Sequence, residues 1–453
     1  MAKPSRLIVI SDLHLGGDAP SIMSHPGRLA GFISGLPKLL SPGEALDLVI
    51  AGDFIDFLAV APWSPWTPTP DLALLKLQKV VGKPGQSDGF APVFDALKEH
   101  VAGGHRLTVL LGNHDLELTL PPVQSAFLDR IGAGPHDVLF VFDGRAYEVG
   151  GALIEHGNRY DDANANDFTH LRALASYLSR GEPPTDLAKV EVSTGSQLVT
   201  RVVNPLKKIY PFVDLLKPEG ELLAYLLFAF EPSLVRKYMG DFGLLFSAQR
   251  KAAANAEGKP PGATTNIAGE LGEVDEELRD AFGDLYQSIR SPAENVAFGD
   301  LFQGFFDSIF NDSISEMVKK NKPIPADRLA KIRVALKRFL QGDRSFDRTA
   351  PDGQYGKAAE RLRRGKIETV VMGHTHLARQ IGGATKATYI NTGTWADLVK
   401  VPAAVLADGA DAALSAFLVD LVKDQKVRSF EPTYADVLVA PSGSVVHAAL
   451  QDA

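Results

Sequence analysis

Five hydrophobic, β-branched runs in this chain each end in a short block of Asp, His or Asn. LIVISD (7–12) leads into Asp12 and His14, and LDLVIAGD (46–53) ends in Asp53, with Asp56 just beyond. LTVLLGNHD (107–115) ends in Asn113, His114 and Asp115, ALIEHG (152–157) carries His156, and TVVMGHTH (369–376) carries His374 and His376. Unbroken apolar runs of this kind read as strands buried on both faces. Polar blocks at the exits of several neighbouring strands converge on one edge of a sheet, where layered α/β proteins place their ligands. The expected fold class is therefore α/β.

Composition narrows what such an edge can do. A formal charge of −8 and a pI near 5.8 argue against a general nucleic-acid binder, which carries a basic face. They leave room for a small anionic substrate, because bound metal ions supply positive charge locally. The chain has no cysteine, which removes disulfides, thiolate metal sites and cysteine nucleophiles. The strand-like LIVIS follows the first residues too closely for an apolar signal core, so a cytoplasmic location is expected. The longest apolar stretch, LLAYLLFAF at 222–230, is less than half a membrane span.

The organisation divides in three. Residues 1–157 alternate strand-like runs with helix-compatible segments and form the first part of a core. Within them PWSPWTPTP (62–70) is a rigid aromatic loop, read either as a locally packed turn or as a wall beside the site. Residues 158–365 read as a mostly helical insertion or cap: 197–217, 220–250 and 294–320 have helical apolar spacing, 327–340 is an amphipathic helix, and 252–276 is a connection. A short helix near 357–364 leads back to the core, whose second part spans 366–453. The tail reads as strands, including AFLVDLV (416–422) and KVRSFEP (426–432), with the intervening KDQ as a hairpin turn.

The residue types point to metal chemistry on phosphate. Two divalent ions about 3.5–4 Å apart can activate water and clamp a phosphoryl transition state. Such a pair needs hard oxygen donors, imidazoles and one carboxylate able to bridge. Asp12 and His14 can reach one ion only if the strand breaks into a loop there, and Gly16-Gly17 supply the break. Asp53 is the natural bridge, Asn113 offers an amide oxygen, and His156, His374 and His376 offer nitrogen. This donor set suits Mn first, with Fe or Zn as alternatives. Asp56 reads as a helix N-cap. Asn391-Thr392-Gly393-Thr394-Trp395 reads as a turn that either lines the site or is purely structural.

In this order, D-x-H, G-D-x-x-D, G-N-H-D, H-G and G-H-x-H resemble the calcineurin-like metallophosphoesterase family, over about 5–157 and 366–435. The resemblance implies a two-sheet β-sandwich flanked by helices, with the helical insertion outside it. It implies one metal held by Asp12, His14, Asp53 and His376, and a second by Asp53, Asn113, His156 and His374. It makes His114 the acid that protonates the leaving group, oriented by Asp115. The residues agree with that role, since His114 adjoins a ligand but is needed by neither ion.

Within the family the motifs are most similar to the branch containing UDP-2,3-diacylglucosamine pyrophosphohydrolases. The insertion here is longer, and Asn158 stands where that branch usually has Asp. Just past His156, Asn158 and Arg159 are candidate substrate contacts, Arg159 through a bidentate phosphate pair. Three functions follow: a phosphodiester or pyrophosphate hydrolase acting on a lipid-linked or nucleotide-sugar substrate, a phosphoesterase of soluble nucleotides, and a non-catalytic metal-binding scaffold. No nucleic-acid partner is expected, and peripheral membrane contact through the insertion is left open.

Overall fold

The computed structural model describes residues 3–17, 21–185, 189–217, 313–340, 342–423 and 426–453. The helical segments read at 220–250 and in most of 294–320, and the connection at 252–276, lie outside these residues. In chain order the strands are β1 (Ser5–Ile10), β2 (Ala45–Ala51), β3 (Arg106–Leu110), β4 (Val138–Val141), β5 (Tyr147–Val149), β6 (Ala152–Ile154) and β7 (Leu216–Lys217). They continue as β8 (Thr369–Met372), β9 (Arg379–Gly382), β10 (Ala387–Asn391), β11 (Leu398–Lys400), β12 (Arg428–Ser429), β13 (Thr433–Val439) and β14 (Val445–Asp452).

Two sheets make the core: a six-stranded one in the order β14-β13-β1-β2-β3-β4 and a five-stranded one in the order β5-β6-β8-β10-β9. The strands that carry the polar blocks are parallel to their neighbours, β1 with β2, β2 with β3, and β6 with β8. Alternation along each strand explains why these runs are apolar throughout. On one face, Ile8, Ile10, Leu48, Ile50, Leu107 and Val109 pack in a cluster that includes Leu29, Ile33, Leu77, Phe94 and Phe127 of the covering helices. On the other, Leu7, Val9, Val49, Ala51 and Leu110 meet Ile154, Val371 and Ile390 of the second sheet. The far face of that sheet, through Val370, Met372 and Tyr389, packs on Ala358 and Ala359 of the helix Gly353–Leu362. Burying a branched side chain of this size is worth roughly 1.5–3 kcal/mol, so both faces of every central strand contribute. The result is mixed α/β, two sheets face to face with helices outside, as the fold expectation stated.

The chain divides into two compact units. One comprises Met1–Lys208, Arg344–Leu398 and Ser429–Ala453; the other comprises Ile209–Asp343 and Val399–Arg428. These limits differ from the expected insertion at 158–365. Its flanks belong with the core: Leu171 and Leu174 of the helix Phe168–Ser179 join the helical-face cluster, and the helix Gly353–Leu362 covers the second sheet. Helical periodicity shows that a segment buries one face without saying against what.

In the second unit the amphipathic helix Ala326–Phe339 packs beside the helix Asp411–Lys423, with Arg333 paired to Asp411 and Lys337 to Asp408. β7 pairs in parallel with β11. The helix Asp411–Lys423 corrects the strand expected at AFLVDLV, and with it the hairpin. Leu414, Phe417, Leu418 and Leu421 are its buried residues, a spacing of three and four that makes one helical stripe.

Candidate metal centre

Parallel register brings the polar blocks level. Ile10 pairs with Ile50 and Ala51 with Leu110, so Asp12, Asp53 and Asn113 follow aligned strand ends. In the second sheet Ile154 pairs with Val371, which aligns His156 with His374 in the same way. The loops are then tied to one another. Asp12 N donates to Gly52 O (3.1 Å), His14 N to Asp53 O (2.9 Å) and Gly373 N to His156 O (2.9 Å). His374 N donates to the Asp12 carboxylate (2.9 Å), joining the two sheets across the site.

Five residues here hold a left-handed backbone: Asp12 (φ 53°), His14 (46°), Asp53 (50°), His374 (73°) and His376 (60°). Such values are uncommon outside glycine and cluster at functional sites. The sharp turns aim successive side chains to one side, which an extended strand cannot do. Close packing of these turns also demands small neighbours. A Cβ on Gly112 would lie 2.0 Å from Asp53 Oδ1, and one on Gly373 would lie 2.2 Å from Ser11 Oγ.

The side chains converge in three overlapping groups: Asp12, His14 and His376; Asp12, Asp53 and His156; and His14, Asp53 and His114. His14 Nε2 faces His376 Nε2 at 2.9 Å, His376 Nε2 is 3.4 Å from Asp12 Oδ1, and His156 Nε2 is 3.4 Å from Asp53 Oδ2. The donor set fits divalent ions. Asn113 Oδ1 is buried with no hydrogen-bond partner, a cost that a coordinated cation would remove. Electrostatics agree. Burial opposes the charge on Asp12, but the hydrogen bond and charge of His376, with the charge of His156, hold its carboxyl down to about 2. Burial likewise opposes ionisation of Asp53, and His156, His114 and His14 outweigh it, keeping it well below the usual carboxylate range.

The structure places the other site residues as follows. His114 sits beside the cluster, its ring 4.7 Å from that of His14 and its backbone N–H donating to Asp53 Oδ1 (2.9 Å). The carboxylate at its Nδ1 is Asp56, at 3.0 Å, and this corrects the expectation for Asp115. The Asp115 carboxylate turns instead to backbone, accepting from Gly112 N (2.7 Å) and Phe54 N (2.8 Å) and holding the loop. Asp56 also accepts from Ala59 N (3.0 Å) in a turn; no helix begins there, which corrects the expected N-cap. The signal is the G-D-x-x-D spacing, whose second Asp the sequence reading assigns to a cap.

Asn158 and Arg159 brace their own loop. Asn158 Nδ2 donates to Asn164 O (2.9 Å), while Arg159 pairs with Glu155 (3.1 Å) and donates to Gly144 O (2.5 Å). Asp161, three residues after Asn158, was unassigned on sequence grounds and lies 3.0 Å from His374 Nε2. The Asn391–Trp395 turn supports the centre from behind. Thr394 Oγ1 and Trp395 N donate to Asp12 O (2.8 and 3.2 Å), and Asn391 Nδ2 donates to Gly373 O (2.8 Å). The proline-rich loop packs locally, with Trp66 buried in the core and Lys208 over the Trp63 ring at 4.6 Å.

Residues 5–195 match the family model described as calcineurin-like phosphoesterase. The match takes in the first four polar blocks and ends before His374 and His376. It supports a metal-dependent phosphoesterase, as does the cluster of candidate ligands. No curated protein matches the chain. Among the described residues, no helix is long and apolar enough to cross a membrane.

Proposed function

We propose that this protein is a dinuclear metal-dependent hydrolase of a phosphodiester or pyrophosphate bond. The observation that carries the reading is the convergence of Asp12, His14, Asp53, His156 and His376, with Asn113 Oδ1 left unpartnered beside them. Asp12, His14, Asp53 and His376 would hold one ion, and Asp53, Asn113, His156 and His374 the other, with Mn expected first. Bound ions supply water activation and charge neutralisation at phosphorus. The chain's own contribution is to hold the donors rigid and to deliver a proton. His114, partly open to solvent and backed by the Asp56 carboxylate, gives that proton to the leaving oxygen; Asp56 fixes the ring and favours its charged form.

A small groove open to solvent lies beside His376, with Phe346, Arg348, Leu377, Thr394 and Glu431 among its walls. Its apolar walls, Phe346, Leu377 and Ala378, would meet the organic group attached to the phosphate. A lipid-linked or nucleotide-sugar diphosphate is the substrate class we place first, on the motif likeness to the UDP-2,3-diacylglucosamine pyrophosphohydrolase branch. Soluble nucleotides are the second. The test is hydrolysis of bis-p-nitrophenyl phosphate by Mn-loaded protein, followed by lipid-linked and nucleotide diphosphates side by side. Turnover of the diester supports the reading, and a metal-loaded protein silent on every one of these substrates would overturn it in favour of a binding scaffold.

A further inference from the structure

We infer that Asp161 is a positioning residue for the metal centre: it takes the Nε2 proton of His374 and so makes Nδ1 the nitrogen that His374 offers to an ion. The inference rests on reading the centre as a metal site, and not on any substrate.

Asp161 Oδ2 lies 3.0 Å from His374 Nε2. A carboxylate presents only lone pairs, so the proton in this contact belongs to the ring nitrogen. In a neutral imidazole the other nitrogen then carries the lone pair that can bind a metal. The neighbouring histidines are set the opposite way. His156 Nδ1 faces the Ala51 carbonyl at 2.8 Å, which puts the proton on Nδ1 and leaves Nε2, on the side of Asp53, as its donor. His14 and His376 present Nε2 to each other. His374 alone among these four has Nε2 committed to a carboxylate outside the converging groups.

Asp161 is itself held firmly. Its Oδ1 accepts from Ala163 N (3.0 Å) and its Oδ2 from Asn164 Nδ2 (2.7 Å). His374 is thus fixed at both ends, its backbone N–H by Asp12 and its ring by Asp161. Asp161 also lies in the segment that follows His156, so one loop sets the surroundings of two histidines on different strands. Partners of this kind, which fix tautomer and ring orientation, typically change metal affinity by about 10- to 100-fold when removed.

The test measures metal binding without substrate, so failure of the proposed hydrolase activity would leave it intact. Mn²⁺ affinity is determined by competition with a fluorescent chelator for the parent, Asp161→Ala and Asn164→Ala. Asp161→Ala should weaken one binding event by about 10- to 100-fold. Asn164→Ala, which loosens Asp161 but leaves its carboxylate to His374, should lose clearly less than Asp161→Ala. Parental affinity in Asp161→Ala, or an equal loss in both variants, would overturn the assignment. A second readout is the His374 tautomer in metal-free protein, from nitrogen NMR with histidine-selective labelling: Nε2–H is expected, and Nδ1–H would overturn it. Should Asp161→Ala not fold, Asp161→Asn keeps an acceptor oxygen and should bind Mn²⁺ more weakly than the parent, while parental affinity again overturns the inference.

Discussion

The two sheets of the core contribute unlike halves of the centre. Loops after β1, β2 and β3 bring both carboxylates, Asp12 and Asp53, with Asn113 and His14, and all four are essentially closed to solvent. Loops after β6 and β8 bring imidazoles only, and the His374 and His376 side chains are 8 % and 13 % exposed. The first sheet therefore supplies the carboxylates and the second the imidazoles that face them. Carboxylates are the costlier groups to bury, and they are tolerated here because the imidazoles of the other half face them.

The largest effect should come from removing the residue on which both halves lean. Asp53→Ala takes away the carboxylate near His14 and His156 and the acceptor of the His114 backbone N–H. Metal analysis after desalting should find no stoichiometric ion, with turnover at background. Retention of full metal content would break the division between the halves.

Next come the two carboxylates around His114, which sharpen the comparison by separating chemistry from framework. His114→Ala should keep its metal and lose about 100- to 10,000-fold in turnover, the usual range for general acid catalysis. Asp56→Ala should lower turnover in the same direction by less. Asp115→Ala should instead lower stability, since Gly112 N and Phe54 N lose their buried acceptor, at about 1–3 kcal/mol for each group left unpaired. Chemical denaturation and steady-state rates on the three variants distinguish these outcomes.

The smallest effect lies away from the site. Burial pushes Asp47 on β2 up to about 6 from 3.8, against the opposing hydrogen bonds of Tyr147 and Thr108. A carboxyl whose pKa is raised on folding binds its proton more tightly in the native state, so its contribution to stability is present below pH 3.8 and fades as pH rises through about 6. Asp47→Asn should flatten that part of the stability profile, and unfolding at stepped pH would show it. An unchanged slope between those limits would assign the pH dependence elsewhere.

Much of this was legible in the sequence because the polar blocks end strands, and strands buried on both faces announce themselves as unbroken apolar runs. The sequence was less informative wherever the answer depended on what packs against what. The helical character of 158–365 did not say that its flanks, 168–179 and 353–362, cover the core. AFLVDLV (416–422) reads as a strand because its Leu, Val and Phe suit either state. In the site, residue type and order gave the donors, but a three-dimensional contact decides which carboxylate meets which histidine. Asp115 is adjacent to His114 in sequence and turns away, while Asp56 and Asp161 reach their histidines across space.

The left-handed turns at Asp12, His14, Asp53, His374 and His376 have an energetic consequence. Each costs of order 1–3 kcal/mol in a residue with a Cβ, so together they weigh as much as the net stability of an ordinary domain. Glycine at any of the five would relax the backbone while deleting a donor. For the fold alone, then, losing this centre would be favourable, and all five donors stand where the backbone least favours them.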